Sequence, residues 1–257
     1  VALSGASGGA MCALLAWYGL LTNDREKAIG LLDSFWRDIS ASSFGDMLLN
    51  NGVVWTSRLS DFVPMPEISP YYYPPWAQEY LRTLLEKHVE FDKIKELIKP
   101  SSPGFFVGAV DVLSGEFKVF KNTEISVDVV LASAANPEIF PAVQIDETLY
   151  WDGMFSHNPP VLDFLEGEDA SVKPDQIWII HINPDTIQKE PISIGEIRHR
   201  RNTLSGNLSL HQEVNMIKLC NDMVKAGYLP SKKIFGTVNG RCNMLIERIQ
   251  LFLFTFT

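Results

Sequence analysis

Cysteine is scarce in this chain. There are three in 257 residues: Cys12, Cys220 and Cys242. An odd count without short spacing gives neither a disulfide framework nor a zinc-ligand pattern. It points to reduced thiols, the state kept in a cytoplasm. Positive charge is short as well. Lysine and arginine number 22 against 31 acidic residues, for a net charge of −9 and a pI near 5.1. That balance argues against nucleic-acid binding, which needs a basic face, and against broad adhesion to anionic membranes. The one basic run, Arg198-His199-Arg200-Arg201, reads as a solvated face. Long hydrophobic runs are missing too. The apolar stretch from Ala10 to Leu21 is too short to span a bilayer. It also lacks the basic flank of a signal peptide and follows a glycine turn. No internal repeat or low-complexity linker breaks the chain.

What remains is ordinary globular material, 46% hydrophobic and 21% charged. A chain of this length can bury a core without staples, and it fits a single large domain over residues 1–257. Val1–Leu3 reads as a buried strand end, and an Ala/Leu/Met-rich helix from Gly8 should end near Asn23. Helical spacing recurs over Arg25–Ile39, over 76–98 and over 208–227, with Gly227 as the last stop. Phe105–Val112 and Phe117–Phe120 read as a hairpin across Ser114-Gly115. Ser126–Ala135 is a short helix stopped at Asn136-Pro137. Thr148–Trp151 is a short strand. Ile177–Ile182 is an apolar run expected to be covered on both faces. The final Leu251–Thr257 reads as a strand cut loose from its context, or as sequence outside its natural frame. Strands alternating with long helices indicate an α/β layered fold.

Gly5-Ala6-Ser7-Gly8-Gly9 fits G-x-S-x-G, the nucleophile elbow. There a serine sits on a sharp strand-to-helix turn, and side chains at the flanking positions are expected to collide with neighbouring backbone. The turn exposes the hydroxyl and aims the N–H of Gly8 at a developing oxyanion. The helix that follows adds its dipole. The pattern is short enough to arise by chance, and a glycine-rich turn without catalysis is the plain alternative. The strand before it and the helix after it favour the elbow.

A nucleophilic serine needs a base. Of the five histidines, His88 lies on an apolar helix face and His181 inside a strand, both places for a satisfied core histidine. His199 sits in the basic run and His211 near a helix start. His157 follows Asp152 by a few residues. Asp152-Gly153 closes a strand, where an Asp can be a simple turn residue. A carboxylate held against the serine can also act as the base.

At this point the chain resembles the patatin-like phospholipases, which pair a G-x-S-x-G serine with the Asp of a D-G-G or D-G-A motif. Leu131-Ala132-Ser133-Ala134-Ala135-Asn136-Pro137 through Phe140-Pro141-Ala142-Val143 is similar to that family's A-S-A-x-x-P-x-x-F-P-A-V segment. Tyr150-Trp151-Asp152-Gly153 follows at the expected place. Gly108–Phe117 resembles the hairpin upstream. Ile182-Asn183-Pro184, Glu196-Ile197, Asn207 and Leu210 resemble a bacterial branch, so the likeness runs from Val1 to about Gly227.

The resemblance implies a three-layer α/β/α domain with a mostly parallel central sheet. It implies a Ser7–Asp152 dyad with no catalytic histidine and an acyl-enzyme intermediate. Gly5, Gly8 and Gly9 would build the elbow and oxyanion site, and Gly153 would follow the base. Acyl lipids are the implied substrates, with room for transient contact at a membrane surface and with no metal or organic cofactor. Two departures stand out. Met154 replaces the usual Gly or Ala after Asp152-Gly153. The family's glycine-rich oxyanion loop and first strand, which precede the serine motif, are expected to be missing from these residues. The residues leave two alternatives open: an α/β-hydrolase with a Ser-Asp-His triad, and an inactive scaffold of the same shape that binds lipid or protein. The aromatic, proline-broken stretch from Val53 to Trp76 reads equally as a cover over the site and as a packed loop.

Overall fold

A strand at the start of the chain runs straight into a helix. Ala2–Gly5 forms β1 and Gly8–Leu21 forms α1. α1 is apolar on every side and accordingly sits inside the core, with Ala10, Leu14, Leu15 and Trp17 fully buried. α2, Arg25–Ile39, is amphipathic, and Asp24 caps it by accepting the Lys27 N–H. It crosses α1 at Gly19, where a Cβ would lie 2.4 Å from the Ala28 Cα. Only glycine permits that approach. The computed structural model describes residues 1–40, 69–72, 74–165, 174, 176–228 and 250–255. Most of the proposed aromatic cover, 53–68 and 73, lies outside the described residues.

The single helix expected over 76–98 is two: α3, Trp76–His88, and α4, Phe91–Leu97. Val89 between them is extended and 1% exposed. Burying this β-branched side chain outweighs the propensity to continue the helix. β2, Gly104–Asp111, then turns through Gly115 at φ 74° into β3, Phe117–Lys121. α5, Val127–Ser133, is capped by the Ser126 hydroxyl. β4, Val143–Ile145, and β5, Thr148–Asp152, form a second hairpin. β6, Gln176–His181, precedes α6, Ile194–Lys225, and β7 is Gln250–Thr255. α6 begins well before the expected Leu208. Ser193 and Glu196 form a reciprocal capping box there, a signal legible in the sequence as S-x-x-E.

The sheet of β1 to β5 is mixed rather than mostly parallel. β1 runs parallel to β2, while β3 and β5 run antiparallel to it, because hairpins supply them. Phe105, Val107 and Ala109 turn one face of β2 into the core formed with α1, α3 and α5. On the other face Phe106 meets Phe164 ring to ring, and Gly108 lies under His157 and Pro160. A second cluster, Val161, Leu165, Ile177, Ile179, Leu210 and Ile217, joins that layer to β6 and α6. The result is an α/β fold with helices on both sides. β6 pairs in parallel with β7. β6 is not covered on both faces among the described residues: Ile177, Ile179 and His181 are buried, whereas Trp178 and Ile180 are exposed.

Candidate active site

The register of β2 decides which residues meet. Val107 pairs with Phe120 of β3 on one edge and with Gly5 of β1 on the other. Ala109 pairs with Lys118 of β3 and with Asp152 of β5. β1 and β5 therefore occupy successive stretches of one edge of β2. They approach from opposite directions, and their C-terminal ends converge at Gly108. Ser7 leaves one end and Asp152 closes the other.

Ser7 has φ 53° and ψ −129°, a strained conformation for a residue with a side chain. Its N–H is held by Ser133, donating to the carbonyl at 3.0 Å and to the hydroxyl at 3.1 Å. The Asp152 N–H donates to the Ala135 carbonyl at 3.1 Å. The end of α5 thus ties down both residues, giving the A-S-A segment a physical task that sequence reading did not assign to it. Ser133 is fully buried.

Asp152 is 2% exposed. It does act as a turn residue, since its Oδ1 accepts the Met154 N–H at 2.8 Å and caps a 3₁₀ turn over Gly153–Phe155. The Ser7 hydroxyl lies close enough to the carboxylate to favour its charged form. Burial pushes its pKa up to about 6, against the opposing pull of the Met154 N–H and the Ser7 hydroxyl. A carboxyl titrating there is poised for proton transfer near neutrality.

The glycines divide into two kinds. At Gly5 a Cβ would lie 2.4 Å from the Gly9 carbonyl oxygen, and at Gly153 one would lie 2.3 Å from the Gly108 oxygen. Both are required by close backbone approach. The expected collision is not found at Gly8 and Gly9, where a Cβ would meet nothing within 4 Å. These two open the first turn of α1, where N–H groups have no intrahelical acceptor. Met154 packs against α6, its Cγ 3.2 Å from where a Cβ of Gly206 would be.

Four of the five histidines have other side-chain partners. His88 Nε2 is 2.8 Å from Asp38, and His211 Nε2 is 3.0 Å from Asp185. Buried His181 meets Asn207 through Nε2 at 3.0 Å. His157 Nδ1 lies 2.6 Å from Glu213. His199 is exposed, as are Arg201 and its neighbours in part, while Arg200 donates to the carbonyls of Pro184 and Asp185. Among the described residues, no group of three or more His, Cys, Asp or Glu is arranged to hold a metal ion, and no helix is long and apolar enough to cross a membrane.

The family model for patatin-like phospholipases matches residues 2–165. The chain belongs to the patatin-like phospholipase family. No curated protein matches it. In this patatin-like phospholipase the matched span carries the elbow, the A-S-A segment and Asp152-Gly153, and it ends before β6 and α6. Membership supports lipid acyl hydrolysis in general and lipids as the substrates.

Proposed function

We propose that the chain is a serine hydrolase of lipid acyl esters that works through Ser7 and Asp152. Asp152 takes the Ser7 proton as Oγ attacks the ester carbonyl. The negative charge on the carbonyl oxygen falls to the N–H groups at the start of α1, Gly8 foremost, with the helix dipole behind them. The Ser7 N–H is not free for this, being bound to Ser133. Collapse breaks the ester C–O bond, and the leaving alkoxide takes the proton from Asp152. Water then attacks the acyl-enzyme, giving its proton to Asp152, and the fatty acid leaves as Ser7 regains its hydrogen. Every proton in this scheme passes between chain groups, substrate and water.

One observation carries the reading: a strained elbow serine stands beside a buried carboxylate whose pKa burial pushes up to about 6. The test pairs fluorophosphonate labelling with hydrolysis of a short-chain ester. Ser7→Ala should lose both while keeping a native circular dichroism spectrum. Retention of more than a few per cent of the activity would remove Ser7 from the mechanism.

A further inference from the structure

Beyond Asp152 the chain leaves the sheet and crosses β2, and α6 fastens it at successive points. Asn158 donates its N–H to the Ser209 hydroxyl at 3.1 Å and its side-chain amide to the Gly206 carbonyl at 2.8 Å. Glu213, one turn on, is 5% exposed. Its Oε1 takes His157 Nδ1 at 2.6 Å, and its Oε2 takes the N–H groups of Val161 and Leu162 at 2.7 and 2.8 Å. A buried carboxylate with three such contacts is costly to remove, because the Val161 and Leu162 N–H groups would each lose this acceptor. The same segment presses on the meeting point of the dyad. The His157 carbonyl oxygen lies 2.7 Å from where a Cβ of Gly108 would be. Gly153 in turn packs on the Gly108 carbonyl and on the Ala6 side chain.

We propose that Glu213 is a positioning residue for Asp152: it staples the segment after the base to α6, so that α6, outside the span matched by the family model, belongs to the catalytic unit. This rests on the reading of Asp152 as the base. It also gives His157 a task other than that of a triad base, as the link between α6 and that segment.

The test uses the whole chain. Glu213→Met removes all three acceptor contacts at similar volume. It should lower kcat roughly 10- to 100-fold, the scale of a misplacement near 1 Å, with KM changed less than about twofold. The acid limb of the pH–rate profile should move, and so should the titration of the Asp152 carboxyl followed by carbon NMR, with Asp152→Asn identifying the signal. Glu213→Gln should recover most of kcat. Its carbonyl can take the two backbone N–H groups while its amide donates to the other tautomer of His157. Should Glu213→Met fail to fold, Ser209→Ala removes a single tie and should move the Asp152 titration in the same direction by less.

A merely structural Glu213 would lower the melting temperature of Glu213→Met and leave kcat, the acid limb and the Asp152 titration where they are. That result, or unchanged values in Ser209→Ala where the other variant is unfolded, overturns the proposal. Full activity in Asp152→Asn would instead remove the base assignment, and the carboxyl titration would still decide whether Glu213 positions Asp152.

Discussion

Replacing Asp152 by asparagine should cost activity and add stability, and the two effects should share one cause. The change is nearly isosteric. The amide oxygen can still accept the Met154 N–H, and the Ser7 hydroxyl can turn to accept from the new NH₂ group. What disappears is a buried charge. With a pKa raised from 3.8 to about 6, the native state holds the Asp152 proton more tightly than the unfolded chain does. Ionised Asp152 therefore weighs against folding. Between those two values the native state binds more protons, so stability falls as pH rises, and the full penalty is present above about 6. At roughly 1.36 kcal/mol per pK unit, the penalty is about 3 kcal/mol near pH 8 and about 1.6 kcal/mol near pH 5. The stability advantage of Asp152→Asn over the parent should accordingly widen by about 1.4 kcal/mol from pH 5 to pH 8. Urea unfolding of both proteins at a series of pH values measures this. Over the same range the parent's kcat/KM should rise with a midpoint near 6, as the base form appears, while the variant is slower by orders of magnitude. A stability difference that does not vary with pH, or that shrinks as pH rises, would refute the argument that desolvation dominates at Asp152.

Further outcomes follow from the same geometry. Gly5→Ala should destabilise by about 1–3 kcal/mol or more through its clash with the Gly9 carbonyl. Gly9→Ala should stay within about 1 kcal/mol of the parent, and equal melting temperatures for the two variants would contradict this. Ser133→Ala removes one of the two acceptors on the Ser7 N–H. It should slow ester hydrolysis about 5- to 10-fold, the equivalent of about 1 kcal/mol, as read by steady-state kinetics. His88→Ala, His199→Ala and His211→Ala should each keep most activity. A folded histidine variant as slow as Asp152→Asn would replace the dyad by a triad.

Sequence alone determined what is local. The elbow glycines, the apolar α1 and the Asp closing a strand are written in neighbouring residues, because turn geometry and helix burial depend on side chains a few positions apart. The family likeness rested on the same short segments. The break at Val89 and the mixed sheet were not legible, because burial and hairpin return outweigh periodicity there. The start of α6 was legible in Ser193 and Glu196 and lay outside the reading. Only the tertiary structure decided that Ser7 and Asp152 meet. Two strands share one edge of β2 and converge at Gly108, with Ser133 at the end of α5 and Ala135 just after it tying down the two N–H groups. The raised pKa of Asp152 is likewise a property of the packed fold, since burial shifts a carboxyl only after distant segments have removed its water. The same holds for Glu213, which in the sequence is one acidic residue on a long helix and in the fold gathers donors from more than fifty residues away for His157, Val161 and Leu162 alike.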